Sequence, residues 1–525
     1  VSKGRLDIEG SEQEPVDVAE VERVVTMMRD KDGVSVFAVS GYAGSVNPEH
    51  ELAVKAIIEN TTDLHVCCGH ELSDLLNFYV RANTAVLNAR IIPLLEQFIE
   101  DVERSLEKRN ISAPVMVVKG DGSLMSSSMA KERPIETILS GPAASIAGAR
   151  YLSGLDDATV VDVGGTTSDI GTIRDGSVEV CPTGARVGGW RTHVRALDMN
   201  TVGLGGDSQI LLEDQKLSIG PRRIAPISWL GARHDITRAL DYVERKIDYY
   251  LATTRPIEFL TATGKKPGRL PDTTEKKLLE VLEKGPASIV ELTERMGLGH
   301  WLMLSSARLE EEYVVQRCGL TPTDILHVRG EMDLWDSEAA GRLLKIVAGR
   351  ANMEPDEFGE EVFRRITDRL LSELIRKQLS IPRDEEESAE CPVCDAVMDN
   401  ILGGGNSRFR INAEFRHPEI LIPTNADVAN AVGAITSFIS VAKRAHVVPT
   451  LEGGFAVQGL PRAERFDEFE AAHSYAVKAL EAEVIRLAEE AGTSQRNVHM
   501  HVDDRMTTIA DGSELFLERI LTATI

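Results

Sequence analysis

The sequence predicts an α/β protein that carries an inserted helical module and ends in a small α+β cap. Three observations predict it. Through residues 1–155, β-branched runs alternate with amphipathic helical stretches, the pattern of a mixed or parallel sheet flanked by helices. Residues 273–318 read as a separate set of three helices and a strand. The stretch 446–525 combines short strands with one long amphipathic helix.

Bulk properties set the outer bounds. A chain of 525 residues holds about two to four domains with substantial cores. Its 58 basic residues against 83 acidic ones give a net charge of −25, which argues against nucleic acid or an anionic membrane as the main partner. No apolar run approaches the length of a bilayer, and no signal peptide is read at the start. Six cysteines in this length suit a reducing compartment better than a disulfide framework. The expectation is a cytoplasmic protein without a membrane segment.

In the first part, Val34–Val39 is a strand and Asn47-Pro48 starts a helix from Glu49 to about Asn60. Leu64–Cys67 is a short strand, residues 74–108 a long helix, and Val115–Val118 a buried strand before the turn Gly120-Asp121-Gly122. The helix after Pro134 carries SGPAAS at 140–145 and continues in small residues to Gly148. Small residues on a helix mean close packing against a neighbour, here expected to be the sheet that follows.

That sheet opens with the most informative stretch, DVGGTTSD at 162–169. An apolar run, Thr159-Val160-Val161, precedes it, and Ile170–Ile173 follows, so the pattern is strand, Gly-Gly turn, strand. Gly164 and Gly165 remove the Cβ atoms that keep an anion from the backbone, and successive N–H groups of such a turn form an anion nest. Thr166 and Thr167 add hydroxyl donors. Asp162 and Asp169 flank the turn, suited to hold magnesium through water beside a phosphate. A plain hairpin whose glycines serve only the turn is the structural alternative.

Residues 184–208 are rich in glycine, and Gly205-Gly206 before Asp207-Ser208 is read either as a helix start facing phosphate or as a structural turn. Arg186, Arg191 and His193 lie between the glycine clusters and are candidates to meet a polar or anionic substrate, although surface ion pairing is the commoner fate of such residues.

In the module, Glu275–Glu283 is a helix, Ser288 with Glu291 caps a second, His300–Leu309 is a third, and Tyr313–Arg317 is a wing strand: a winged-helix pattern. Its presumed reading helix, GHWLMLSSARL, offers Arg308 as its one full positive charge. A DNA reader needs several phosphate-contacting cations, so structural or protein-contact use is expected instead. Helices follow at about 336–349 and 355–380. Cys391 and Cys394 make one CxxC without a second pair at zinc-finger spacing, which favours packing over metal. A further glycine cluster, ILGGGNSRFR, spans 401–410, and PTNADVANAVGA at 423–434 suits a tightly packed helix. The end of the chain carries strands around Gly453-Gly454, a helix at about 467–491 and a last strand, His499–Val502.

DVGGTTSD, the SGPAAS before it, TVGLGGDS at 201–208, LGGGN at 402–406 and VANAVGA stand in the order of the hydantoinase A/oxoprolinase family, N-methylhydantoinase A among them. VVKGDG at 117–122 and GPRRIAP at 220–226 add to the match, and on these motifs the chain resembles that family over nearly its whole length. The resemblance implies an actin-like ATPase (ribonuclease H-like) fold, two related domains closing on ATP. By it, Gly164, Gly165, Thr166 and Thr167 form the second phosphate loop, with Gly205, Gly206 and Asp207 joining the nucleotide site. Gly403, Gly404, Gly405 and Asn406 approach the adenosine, and the small-residue helices near 140–149 and 425–437 are paired connecting segments. The implied domains are 1–155, then 156–272 with 319–445, the insertion 273–318, and 446–525.

Relatives begin with another Asp-Gly-Gly-Thr loop on an opening hairpin, whereas this sequence opens at VSKGRLDIEG. The expectation is either a fragment or misplaced start, or a lost half of the phosphate clamp. The implied activity is ATP-dependent hydrolysis of a cyclic amide such as a hydantoin, 5-oxoproline or a lactam, with magnesium as cofactor. A B-type hydantoinase subunit and an oligomeric assembly come with it. An ATP-dependent carboxylase subunit and a non-enzymatic nucleotide-dependent regulator are the alternative readings.

Overall fold

The computed structural model describes residues 3–75, 77–181, 184–246, 253–378, 400–405, 419–461, 464–508 and 514–525. The chain folds as two compact units. One comprises Val1–Tyr151, Arg174–Asp198 and Ala429–Ile525, the other Leu152–Ile173 and Met199–Val428. These units are drawn differently from the expected domains: residues 429–445 and the whole C-terminal segment group with 1–151. Among the described residues no helix is long and apolar enough to cross a membrane.

The first unit begins with a parallel strand pair, Val36–Val39 beside His65–Cys68. Parallel strands need a crossover, and the helix Glu49–Thr61 supplies it. Val21, Val25, Phe37 and Ile58 close a small core over this pair. The helix Phe78–Glu107 starts where Asn77 accepts a hydrogen bond from the Val80 amide, and it runs through Pro93 without ending there. Its buried positions, including Arg81, Ala85, Asn88, Ile92 and Ile99, recur every three, four or seven residues and so form one inward stripe. The small-residue helix Ser140–Ser153 packs at Gly148 against a second such helix, Ala429–Thr436. Asn430 ties the two by donating to the Gly141 carbonyl at 2.7 Å.

The C-terminal part of this unit is a five-stranded antiparallel sheet in the order 464–466, 455–458, 442–449, 514–524, 499–508. The helix Phe469–Ala491 covers it, presenting Ala472, Ala476, Leu480 and Val484 every fourth residue to Ala445, Val447, Val457 and Leu521. The expected last strand is one arm of a long hairpin whose second arm, Glu514–Thr524, pairs with the central strand 442–449.

The second unit is built on a mixed sheet in the order 199–202, 168–174, 158–163, 400–405, 419–421. The strand Ala158–Val163 runs antiparallel to Ser168–Arg174 and parallel to Asn400–Gly405. The helices Thr237–Lys246, Pro322–Val328, Ser337–Arg350 and Pro355–Gln378 share its main apolar core, which includes Val161, Ile170, Leu204, Leu240, Leu343 and Phe358. Asp324 anchors this packing from a fully buried position, accepting from the amides of Ile227, Ser228 and Thr321 and from the Thr321 hydroxyl.

The 273–318 segment keeps a core of its own, with Leu278, Leu282, Ile289, Leu292, Leu309 and Val315. Its first two helices stand at Thr273–Leu282 and Ile289–Met296, the second capped by Ser288. The expected third helix does not form as one element. A 3-10 turn, Trp301–Met303, and a five-residue helix, Ala307–Glu311, take its place. Ser306 stands before the second piece, its hydroxyl donating to the Glu310 carboxylate at 2.6 Å. The wing position is the strand Val315–Gly319, paired antiparallel to Phe259–Ala262 and parallel to Ala225–Pro226. The segment is thus continuous by sheet pairing with its own unit, and Arg308 is engaged by Glu275 and Glu312.

Candidate functional site

In the second unit, Asp162 and Asp169 sit directly opposite one another across the hairpin, as Val163 does with Ser168. The Gly164 amide closes the turn on the Thr167 carbonyl at 2.9 Å. Thr166 is exposed and Thr167 half-buried. The parallel neighbour places Gly403, Gly404 and Gly405 beside Val161, Asp162 and Val163. Two glycine motifs far apart in sequence therefore occupy adjacent strand ends. Asn406, like Cys391 and Cys394, lies outside the described residues.

The other glycine cluster meets this turn backbone to backbone. Gly206 donates its amide to the Gly164 carbonyl at 2.9 Å, and Asp207 donates to the Gly165 carbonyl at 2.7 Å. A Cβ on Gly205 would fall 2.5 Å from the Gly164 oxygen, so only glycine permits this approach. The helix start considered for 205–208 is corrected here. Ser208–Glu213 is a strand, paired with Lys216–Arg223, because the apolar run Ile210–Leu212 is buried in it. The turn's ligand-facing capacity consequently rests on 164–167 and not on a helix N-terminus at 205.

The carboxylates around the turn are under electrostatic tension. Burial raises the Asp169 pKa above its ordinary range, and the charge of Asp162 adds to it, while the Thr201 hydroxyl, donating at 2.7 Å, acts the other way. Burial likewise raises Asp207, opposed by the Arg223 guanidinium at 3.0 Å and by Thr323. A bound divalent cation would relieve the repulsion between Asp162 and Asp169. Among the described residues no third His, Cys, Asp or Glu side chain joins these two in a ligand cluster, so such an ion would take its remaining oxygens from water and phosphate. The pair fits magnesium on those terms.

The first unit holds a cavity of about 660 Å³ that the sequence reading did not anticipate. Leu72, Met129, Ile135, Leu460 and Leu487 give it apolar walls, and several charged side chains line it. His70 reaches it from a short helix, Gly69–Leu72. The buried carboxylate of Glu51 accepts from the His70 ring Nδ1 at 2.7 Å, from the His70 amide at 2.9 Å and from the Gly41 amide at 2.7 Å. In the hydrogen bond to the Glu51 carboxylate, the ring Nδ1 is the donor. The buried Arg81 guanidinium braces the surrounding loop by donating to the carbonyls of Gly41, Tyr42 and Leu75 at 2.8 Å each. His193, named from the sequence, also lines the cavity, 2.6 Å from the Ser73 hydroxyl. Burial, helped by the Arg81 charge, lowers the His193 pKa to about 4, so its ring is neutral near pH 7. Arg186 and Arg191 lie elsewhere, opposite each other on an exposed hairpin.

Glu51, Cys68 and His70 approach closely enough to suggest metal ligation. Their chemistry argues otherwise. Burial holds the Cys68 thiol far above its ordinary pKa, and that thiol donates to the Glu51 carbonyl at 3.7 Å. A neutral thiol beside a satisfied Glu–His pair is a hydrogen-bonded packing arrangement. The signal that could have found the pair was the His-Glu after the strand at 65–68, on a short capped turn.

Comparison with known proteins bears on both places. Residues 81–227 match the family described as Hydantoinase/oxoprolinase, and residues 1–62 match the Hydantoinase/oxoprolinase N-terminal region. The caprolactamase subunit alpha of Pseudomonas jessenii is 30% identical over 224 residues, 42% of this chain and 32% of that protein. The acetophenone carboxylase gamma subunit of Aromatoleum aromaticum is 27% identical over 229 residues, 42% of this chain and 31% of its own length. The 5-oxoprolinase of Saccharomyces cerevisiae is 26% identical over 196 residues, 36% of this chain and 15% of that enzyme. The matched regions thus span about a third or less of these relatives. A crystal structure of the ATP-dependent caprolactamase from Pseudomonas jessenii aligns with TM-score 0.60 at 17% identity, over 100% of this chain and 69% of that one. Nucleotide-free acetone carboxylase aligns with TM-score 0.57 at 14% identity and the same coverage. Both solved structures share the mixed α/β fold.

Proposed function

Taking as premise that residues 1–62 and 81–227 place this chain in the hydantoinase/oxoprolinase family, we propose that it takes part in ATP-dependent hydrolysis of a cyclic amide through a phosphorylated intermediate. The observation that carries the reading is the Asp162–Asp169 hairpin, with Gly164-Gly165 at its turn and the Gly403–Gly405 strand beside it. In this reading Gly164, Gly165, Thr166 and Thr167 cradle ATP phosphates, and Asp162 and Asp169 hold magnesium through water. Gly205, Gly206 and Asp207 brace the cradle, and Gly403, Gly404, Gly405 and Asn406 border the adenosine. Magnesium, when bound, supplies charge neutralisation at the phosphates. The fold assignment that accompanies it is an actin-like ATPase, with the 273–318 segment as a structural or protein-contact elaboration, in a cytoplasmic protein.

An unactivated amide resists hydrolysis because resonance protects the carbonyl and the nitrogen leaves poorly. Moving the γ-phosphoryl of ATP onto the amide oxygen releases ADP and makes an imidate phosphate. Water then adds to that carbon, the tetrahedral intermediate expels the ring nitrogen to leave an acyl phosphate, and a second water releases inorganic phosphate and the carboxylate. Positioning and charge neutralisation supply most of the acceleration of such phosphoryl transfers. The names of relatives support this reading, since caprolactamase and 5-oxoprolinase act on cyclic amides. The subunit names of the caprolactamase and the acetophenone carboxylase support a multi-subunit assembly, for which a B-type hydantoinase subunit is our choice. The second reading is an ATP-dependent carboxylase subunit, favoured by the carboxylase relatives.

The test is coupled phosphate release and ring opening, measured on the chain alone and with a B-type subunit, across hydantoins, lactams and ketones with bicarbonate. Ring opening that proceeds equally well without ATP overturns the proposal. Phosphate release only with ketone and bicarbonate selects the carboxylase.

A further inference from the structure

A lysine becomes a nucleophile once its ammonium loses a proton, which desolvation and neighbouring cations both promote. Lys443 meets both conditions. It stands half-buried on the central strand Ala442–Pro449, opposite Ala523, and lines the cavity of the first unit. Among the described residues it takes no hydrogen bond and no ion pair. The charged groups facing it come from three places. Asp74 follows the short helix Gly69–Leu72, Arg133 ends the helix Ser127–Glu132, and Glu483 and Arg486 project from Phe469–Ala491. Glu483 is already committed to Arg486 at 2.8 Å. Burial is the main cause that lowers the Lys443 pKa, and the two arginines add to it against the two acids. An ammonium ion there loses hydration without gaining a partner, so the free amine is the form the site favours.

A second lysine in the same lining shows the contrast. Lys119 lies between Asp121 at 3.6 Å and Glu136 at 3.5 Å, the ordinary ion-paired arrangement. Around the unpaired amine the cavity holds about 660 Å³, within the usual range for small-molecule sites. Met129, Ile135, Leu460 and Leu487 give it walls that suit an uncharged organic molecule. We infer that Lys443 is a nucleophilic amine and that this cavity is a covalent carbonyl site, where its Nζ forms a reversible imine with a small aldehyde. The nitrogen lone pair bonds to the carbonyl carbon while the C=O π pair moves to oxygen. Both amine protons then leave with that oxygen as one water, and the C=N bond remains. Water reverses the step, with no oxidant, reductant or ATP consumed. The site is separate from the hairpin to which the hydrolase reading assigns ATP.

The experiment is reductive capture on the full chain without ATP, using propanal and sodium cyanoborohydride, followed by peptide mapping. The borohydride reduces each imine to a secondary amine and so fixes a propyl group on the lysine that formed it. Near pH 7, Lys443 should be propylated at least about tenfold faster than the exposed Lys31 and Lys266 or the paired Lys119, since each unit taken from a lysine pKa gives tenfold more free amine. The gap should close as pH approaches the ordinary lysine value near 10.4. It should also vanish in concentrated urea, where the cavity is lost. Lys443→Arg should remove the fast site and leave the other lysines unchanged. Capture at Lys443 no faster than at Lys266, a gap that survives urea, or a fast site elsewhere overturns the inference. The unaltered chain decides even if Lys443→Arg fails to fold.

Discussion

Gly148 and Gly433 face each other across two helices with no room for a side chain on either. A Cβ on Gly148 would fall 1.8 Å from the Ala429 carbonyl oxygen, and one on Gly433 would fall 1.8 Å from that of Ala144. Backbone cannot yield as a flexible side chain does. Gly433→Ala should therefore destabilise the protein by roughly 2–4 kcal/mol through overpacking. Gly349, which has nothing within 4 Å of its Cβ direction, supplies the control. Gly349→Ala should be neutral or stabilising by up to about 1 kcal/mol, since alanine is the better helix former. Thermal and denaturant unfolding measure both, and equal effects would refute the packing argument.

The Gly164-Gly165 turn makes a prediction with its own rescue. A Cβ on Gly165 would meet an Asp207 carboxylate oxygen at 2.9 Å, the same oxygen that Arg223 holds. Gly165→Val should abolish magnesium-dependent ATP binding. In Gly165→Ala the conflict is confined to that carboxylate, so Asp207→Ala combined with it should restore part of the affinity. Calorimetric affinity unchanged in folded Gly165→Val protein would show that the turn does not hold phosphate.

Asp162 and Asp169 share one face of the hairpin, and the Asp169 pKa is raised. Asp162→Asn removes one charge of the pair while keeping its shape. Turnover should fall far more, by about a hundredfold or beyond, than nucleotide affinity, as expected of a group acting on transition-state charge. Equal losses in both would assign Asp162 to binding alone.

His193 gives a pH signature. Its folded pKa of about 4 lies below the ordinary histidine value near 6.5, so the unfolded chain binds more protons between the two. Its stabilising contribution is complete above about pH 6.5 and is lost as pH falls towards about 4. His193→Asn should flatten the stability profile across that window, which urea unfolding at a series of pH values would reveal. An unchanged acid limb would contradict the burial of this ring.

Much of the site's backbone was legible because the signals are local. A Gly-Gly between two β-branched runs has few conformations open to it, and the hairpin at 162–169 formed as read. Long periodic helices such as Phe78–Glu107 and Phe469–Ala491 were legible for the same reason. What failed to show was what depends on distant partners. For 205–208 the sequence left a helix start and a structural turn open, and the turn is what forms: the carbonyls of Gly164 and Gly165 take the amides of Gly206 and Asp207, and a strand follows. The apolar periodicity at 300–309 that read as one helix forms instead as a 3-10 turn and a five-residue helix. The cavity of the first unit draws its lining from segments as far apart as Gly44 and Thr524, which no local motif joins.

The parallel pairing of Asp162 with Gly404 also sets an order of events during synthesis. The hairpin 158–174 can close as soon as it leaves the ribosome, but its other edge waits for a strand made more than two hundred residues later. Until then the apolar run Ala158–Val161 stands as an open sheet edge, the form of backbone most prone to recruit a stranger. The nascent chain therefore passes through a long interval in which this hairpin is formed yet unguarded. Chaperone dependence and temperature-sensitive solubility should concentrate in that interval.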